Sequence, residues 1–115
     1  PRRCGWLDLP ALKYAVMLSG VTDLMMMKSD VMDDFATLKV ATAYRYNGKE
    51  TKYLPFAACT ETMEPVYTEI PGWQQKTEGN IPQKLEAYIK FIEDFVGVPV
   101  KFVSYGPDRT QNVWR

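Results

Sequence analysis

The chain has 115 residues, of which 46% are apolar and 13% aromatic, and its 14 basic side chains balance its 14 acidic ones. A chain of this length and hydrophobicity folds as at most one domain with a modest core, which excludes an intrinsically disordered segment. The balanced charge, and the lack of any apolar run near the roughly 20 residues of a membrane span, predict neither nucleic acid nor a membrane as partner.

Residue usage also narrows the possible chemistry. Histidine is absent, which removes the usual general acid–base group near neutral pH and the commonest metal ligand. Cys4 and Cys59 lack the paired spacing of a zinc site, and we interpret them as the reduced thiols of a cytoplasmic protein. The chain opens with PRRCGW, without an initiator methionine or a signal-peptide core, and this start predicts a piece of a longer protein.

The first elements along the chain are a capped helix and a short strand. Asp8 is a suitable N-cap and Gly20 a suitable left-handed stop, and the apolar residues between them lie on most sides, which predicts a helix buried on most faces. The run VTDLMMM predicts a strand of a parallel sheet that is covered on both sides, with the methionines at 25–27 filling the core. A short helical turn is predicted to begin at Asp30.

A β-hairpin and a second helix follow. Side chains from Thr37 alternate with a period of two, which predicts a half-exposed strand, and the Asn-Gly pair at Asn47 supplies a tight turn into the returning strand KETKYLP. PVYTEIPGW is typical of an edge strand and QQKTEGN of a mobile polar loop. Pro82 opens an amphipathic helix that ends at Gly97, and PVKFVS is the last predicted strand. This order predicts an α/β fold with a mixed sheet, a β-hairpin and flanking helices.

Two predicted strands end in polar loops, KSD and SYGPDR, and ligands of open α/β sheets bind beyond the carboxyl ends of strands. We therefore expect both loops at one edge. Guanine carries two adjacent donors, N1–H and the 2-amino group, and the single carboxylate of Asp30 could accept both. The stem of Lys28 could cover the base, with backbone groups of Ser104, Tyr105 and Gly106 on its other side. A plain solvated turn is the alternative.

Other polar side chains have simpler interpretations beside the functional ones. Arg2 and Arg3 form a basic pair suited to phosphate or carboxylate, although terminal arginines are often surface residues. Asp33 and Asp34 are typical of an exposed turn, and Trp73 of packing. The sequence contains no glycine-rich phosphate loop and no metal-ligand constellation.

Five motifs, in this order and at these spacings, resemble the C-terminal third of adenylosuccinate synthetase, and the resemblance covers the chain to about Arg109. The motifs are PRRCGWLDLPALKYAV, KSDV, KVATAYRYNGKE, EPVYTEIPGW and GVPVKFVSYGPDR. The resemblance implies an enzyme of purine nucleotide biosynthesis that couples GTP hydrolysis to the joining of IMP and L-aspartate, assisted by Mg²⁺ and working as a homodimer. It also implies that residues 1–115 are the C-terminal, guanine-binding part of a larger nucleotide-binding fold.

The resemblance assigns site residues by position. The family's TKLD guanine reader falls on MKSD, its second guanine loop falls on SYGP, and Arg2 matches the end of a loop that closes over aspartate and the GTP phosphates. Met27 and Ser29 depart from the family's threonine and leucine, which affects the packing of the pocket more than its carboxylate. The residues expected to bind GTP are Arg2, Lys28, Ser29, Asp30, Ser104, Tyr105, Gly106 and Pro107.

The family's phosphate loop, its catalytic aspartate and histidine, its magnesium ligands and nearly all its IMP contacts lie in the earlier two thirds. We therefore expect this chain to lack catalytic residues other than Arg2, a possible transition-state stabiliser, and to be inactive by itself. Two other hypotheses about function stay open. One is a guanine-nucleotide-binding module without ligase chemistry, which would need its own phosphate loop, and the other is a purely structural interaction domain.

Overall fold

Seven strands and two helices form the fold of residues 1–115 in a computed structural model. This composition confirms the predicted mixed α/β class, although the strands divide between two sheets. The elements are β1 (Leu7–Asp8), α1 (Leu9–Ser19), β2 (Leu24–Met26), β3 (Thr37–Tyr46), β4 (Lys49–Thr51), β5 (Glu64–Pro71), α2 (Gln83–Val96), β6 (Val100–Ser104) and β7 (Asn112–Trp114), with 3₁₀ turns at Ser29–Met32 and Phe56–Cys59.

The larger sheet is built around β3. Strand β1 pairs with it in parallel, β5 runs antiparallel along it, and β4 returns from the predicted Asn-Gly turn, where Asn47 has φ 50° and Gly48 φ 73°. The predicted alternation of β3 is wrong beyond its middle, because the register with β5 shifts between Ala41 and Ala43. Such a bulge disrupts the ladder locally and bends the strand. Ala41, Ala43 and Tyr44 are all buried, so both faces of β3 are covered around the bulge.

The smaller sheet has the order β2, β6, β7, with β2 and β6 parallel and β7 antiparallel to β6. The sequence predicted no strand at β7, which has three residues and no clear alternation. Trp114 packs edge-on against Phe102 at a centroid distance of 4.9 Å. Arg115 then donates to the Lys101 carbonyl and pairs with Glu86, which ties the end of the sheet to α2.

Both helices have the predicted caps, but α1 is less buried than predicted. The Asp8 side chain accepts from the Ala11 N–H, and Gly20 ends α1 in the left-handed conformation. Met17 and Leu18 are 67% and 65% exposed, because α1 packs only on the side that faces α2 and β3. The predicted core role of the methionines is likewise wrong for Met25 and Met27, which are 63% and 60% exposed, so β2 is not covered on both sides as predicted.

Helix α2 supplies the largest share of the core, as its helical spacing predicted. Gly97 ends the helix at φ 82°, and burial raises the pKa of Tyr88 to about 12. No helix of the chain is long and apolar enough to cross a membrane. The buried core residues of α2 are Leu85, Tyr88, Ile89, Ile92 and Val96, and they pack with Leu9, Leu38, Val40, Ile70, Trp73, Val100 and Val103.

Candidate functional site

The parallel pairing of β2 and β6 brings the two polar loops to one edge of the smaller sheet. Met26 lies opposite Val103, so the chain leaves both strands at the same end and enters the loops that begin at Lys28 and Ser104. The 3₁₀ turn Ser29–Met32 packs against β6. This confirms the prediction that the two loops share an edge.

The first loop begins with an unusual backbone conformation at Lys28. Its φ of 59° and ψ of 42° are left-handed, which costs a residue other than glycine roughly 1–2 kcal/mol. Its carbonyl accepts the Val31 N–H at 3.3 Å, and its side chain is exposed. The surrounding turn therefore holds Lys28 in a conformation that an isolated peptide would rarely adopt.

Ser29 and Asp30 are consecutive in this turn, but the first is buried and the second is exposed. Ser29 is fully buried and its Oγ has no hydrogen-bond partner, so its side chain lies in the interior and not in an open base pocket as expected. Asp30 is exposed, and its carboxylate forms no hydrogen bond or ion pair with the rest of the chain. A carboxylate placed in this way is free to accept hydrogen bonds from a ligand.

The second loop is held by hydrogen bonds within itself. Ser104 Oγ donates to the Gly106 carbonyl at 3.2 Å, and the Tyr105 N–H donates to the Gln111 carbonyl at 3.0 Å. A Cβ at Gly106 would lie 2.2 Å from Gln111 Oε1, so glycine is needed for the Gln111 side chain to fold under the loop. Pro107 is exposed. Gln111 lies outside the motifs that suggested the site, and its role in supporting this loop was not predicted from the sequence.

Asp108 closes the far side of the second loop. Its Oδ1 accepts from the Thr110 N–H at 2.8 Å and from Thr110 Oγ1 at 2.7 Å. These hydrogen bonds stabilise the charged carboxylate and lower the pKa of Asp108. Gln111 Oε1 accepts the Asp108 N–H at 2.9 Å, so the turn after Pro107 is internally satisfied.

A buried carboxylate lies directly behind the first loop, where the sequence predicted an exposed turn. Asp33 is 7% exposed, and its Oδ1 accepts from Trp73 Nε1 at 2.7 Å and from Thr77 Oγ1 at 3.1 Å. Its Oδ2 accepts from the Thr77 N–H at 3.0 Å. The exposed interpretation of Asp33 is therefore wrong, because three donors from a distant part of the chain compensate its burial. Asp34 is exposed as predicted.

The segment predicted to be a mobile polar loop is tied to both candidate loops. Thr77 is 2% exposed and bonded to Asp33, and the Gly79 N–H donates to the Tyr105 hydroxyl at 3.0 Å. The prediction of a loose loop fails here because its polar groups find partners inside the fold. One signal was available in the sequence: a buried tryptophan such as Trp73 needs an acceptor for its indole N–H.

Arg2 is the one predicted site residue that the structure does not bring to this edge. It is exposed, forms no ion pair, and precedes β1 in the larger sheet. A cavity of about 380 Å³ on that sheet, beside Trp6 and Tyr44, is separate from both loops. No group of three or more acidic, cysteine or histidine side chains in the chain could hold a metal ion.

The chain is a mixed α/β protein with two polar loops at the carboxyl ends of two parallel strands. This arrangement is typical of nucleotide-binding α/β proteins. The sequence model of adenylosuccinate synthetase matches residues 1–113. The chain belongs to the adenylosuccinate synthetase family.

Individual relatives agree over the whole chain. It is 55% identical to the adenylosuccinate synthetase of Flavobacterium psychrophilum and 51% identical to that of Parabacteroides distasonis, with 97% and 99% of this chain covered. A solved structure of fully ligated adenylosuccinate synthetase from Plasmodium falciparum superposes over 100% of this chain, with a TM-score of 0.88 and 26% identity. The chain spans 28% of the length of the two bacterial relatives and 30% of the solved chain.

Proposed function

We propose that this chain provides the guanine-recognition loops of an adenylosuccinate synthetase, the enzyme that joins IMP and L-aspartate with hydrolysis of GTP to GDP and phosphate. In this proposal residues 1–115 are the C-terminal, guanine-binding part of a longer protein. The observation that carries it is the free carboxylate of Asp30 beside the loop that starts at Ser104, at the carboxyl ends of two parallel strands.

Asp30 is the proposed reader of the base. Its two carboxylate oxygens accept the N1–H and 2-amino donors of guanine together, whereas adenine presents no such pair of donors on that edge. No group of the chain competes for this carboxylate, since it forms no internal hydrogen bond or ion pair. The proposed specificity for guanine follows from this pairing.

Lys28 and the second loop are proposed to enclose the two faces of the base. Lys28 lies two residues before Asp30 with its side chain exposed, so its methylene groups could cover the ring. Ser104, Tyr105 and Gly106 would approach from the other strand, and the internal hydrogen bonds of this loop support its fixed shape. Preformed loops of this kind lose little entropy when a ligand binds.

The rest of the reaction is proposed for the longer protein. There GTP phosphorylates the 6-oxygen of IMP, and the aspartate amine then displaces phosphate, while Arg2 stabilises the charge that develops during phosphoryl transfer. The acidic side chains of this chain do not form a group that fits Mg²⁺, so we assign no step of the reaction to the metal here. Homodimer formation and a cytoplasmic location stay predictions.

The test uses a chimera, defined as the Flavobacterium psychrophilum relative with its matching segment replaced by this chain. Asp30→Asn replaces one acceptor with a donor, which would face the 2-amino group of guanine. Loss of a charged pair of hydrogen bonds should cost about 2–4 kcal/mol, or a factor of roughly 30–1000 in the KM for GTP. Xanthine has a carbonyl at position 2, so the same substitution should improve the use of XTP.

The matched control is Asp34→Asn, because Asp34 is an exposed carboxylate close to Asp30 that makes no contact in the proposed site. It should leave both Michaelis constants unchanged. If the GTP and XTP preferences of Asp30→Asn do not move in opposite directions, Asp30 belongs to a plain solvated turn. A chimera that binds GTP but forms no adenylosuccinate would favour the alternative, a guanine-nucleotide-binding module without ligase chemistry.

A further inference from the structure

We infer that Asp33 is a positioning residue that sets the guanine-reading geometry of Asp30, by anchoring the turn between them to the hydrophobic core. This inference rests on the proposed function, because it assigns a role relative to the proposed base reader. It concerns a buried network of Asp33, Trp73 and Thr77 that has no part in the proposed contacts with nucleotide.

Asp33 is connected to Asp30 through the backbone. It occupies the C-terminal cap of the 3₁₀ turn, and its N–H donates to the Asp30 carbonyl at 3.1 Å. The residue is only 7% exposed, and its side chain accepts three hydrogen bonds inside the fold. Asp33 therefore bonds to Asp30 through its main chain and to the buried Trp73 and Thr77 through its side chain.

The donors to Asp33 come from a rigid part of the molecule. Trp73 is 5% exposed and packs against Tyr88 of α2 at a centroid distance of 5.9 Å. Thr77 is 2% exposed and donates with both its N–H and its hydroxyl. A change of the carboxylate is therefore transmitted to the turn, since the packed donors have little freedom to follow it.

The same segment also reaches the second loop. Two residues beyond Thr77, the Gly79 N–H donates to the hydroxyl of Tyr105 at 3.0 Å. The stretch from Trp73 to Gly79 thus contacts the turn behind Asp30 and the second loop, with three hydrogen bonds to Asp33 and one to Tyr105. This segment therefore bridges the turn that contains Asp30 and the loop that begins at Ser104.

A shift of the turn matters for a bidentate contact more than for a single one. Two acceptors must meet two donors of fixed spacing, so a small rotation of Asp30 breaks one hydrogen bond while the other persists. The bond to the 2-amino group is the one that distinguishes GTP from ITP, because hypoxanthine lacks that group. Misplacement of Asp30 should therefore appear as weaker discrimination between GTP and ITP.

The experiment measures kcat/KM for GTP and for ITP in the chimera carrying Asp33→Asn. The amide keeps the shape of the carboxylate but replaces one acceptor with a donor, which must face either the Thr77 N–H or the indole N–H of Trp73. We expect the preference for GTP over ITP to fall roughly tenfold, the scale of one lost hydrogen bond, while kcat at saturating GTP changes less than about threefold. Asp34→Asn is the control and should preserve the preference.

A purely structural role for Asp33 predicts a different result. Loss of folded protein lowers the rates with GTP and ITP by the same factor and leaves their ratio unchanged, and this outcome would overturn the inference. If Asp33→Asn does not fold, Thr77→Val decides, since it removes only the hydroxyl donor and should reduce the GTP preference by a smaller factor, about threefold. An unchanged preference in Thr77→Val would then count against the inference.

Asp30→Asn separates this inference from the proposed function. If Asp30→Asn alters nucleotide preference and Asp33→Asn does not, guanine recognition stands and the positioning role of Asp33 fails. If neither substitution alters nucleotide preference, the proposed function fails and the inference fails with it.

Discussion

Gly72 offers a sharp test of how the segment after β5 is packed. It lies between the end of β5 and Trp73, and its N–H donates to the Ala36 carbonyl at 2.9 Å. A Cβ at this position would lie 1.7 Å from the Phe35 carbonyl oxygen and 2.7 Å from the Phe35 carbonyl carbon. Both atoms belong to the backbone, so no side-chain rotation can relieve the clash in Gly72→Ala.

The expected cost follows from this geometry. The two backbones must separate by more than about 1 Å, which disrupts the hydrogen bond between Gly72 and Ala36 and loosens the packing around Trp73. Overpacking costs about 1–3 kcal/mol and an unsatisfied buried backbone group a similar amount, so we expect a loss of about 2–6 kcal/mol in the free energy of unfolding. That is a large part of the roughly 5–15 kcal/mol typical of a small domain.

Urea unfolding of the 115-residue chain, followed by tryptophan fluorescence, measures this loss. With an m-value of about 1.5 kcal/mol/M, the midpoint of Gly72→Ala should fall by roughly 1.3–4 M, or the variant should not fold. Gly5→Ala is the control, because a Cβ there has no neighbouring atom within 4 Å. If the two variants unfold at the same urea concentration, the close approach of Gly72 to Phe35 does not exist in solution.

Three further predictions concern activity and pH. The isolated chain, mixed with GTP, IMP, aspartate and Mg²⁺, should release no phosphate above background, because it has no phosphate loop and no histidine; turnover would contradict this. In the chimera, Arg2→Leu should lower kcat by roughly two to three orders of magnitude without loss of fold, and an unchanged steady-state rate would make Arg2 a surface residue. Burial by itself raises the pKa of Glu93, but hydrogen bonds from Arg115 and the Val100 N–H outweigh it and hold that pKa below its ordinary value. Because the folded-state pKa is depressed, Glu93 stabilises the fold above its unfolded-state pKa and loses this effect as the pH falls through the folded value, so the stability difference between Glu93→Gln and the unmodified chain in urea should shrink in acid.

Short-range chemistry allowed the sequence to predict the helix caps and the hairpin. Asp8 caps α1 through a donor three residues away, and Gly20 and Gly97 end their helices with positive φ, which their lack of a Cβ permits. The Asn-Gly turn at Asn47 follows the same logic. Each of these features depends on residues within a few positions, so the local sequence contains the needed information.

The sequence also determined the main elements of the candidate site. Two apolar strands, each followed by a polar loop, predicted that Lys28 and Asp30 would lie near Ser104, because parallel neighbours end at the same edge of a sheet. The order and spacing of the motifs determined the family, which the comparisons confirm. Neither inference required coordinates.

Only the tertiary structure decided which polar residues are buried. Asp33 bonds to Trp73 and Thr77, which lie 40 and 44 residues away in the chain. Asp34 is the next residue and has the same side chain, yet it is exposed, so the local sequence does not distinguish the two. The bulge at Ala41 and the pairing of β7 are decided in the same way, by partners elsewhere in the chain. The physical reason is that the cost of burying a charge or a backbone group depends on whether distant donors compensate it, and only the folded chain brings those donors into place.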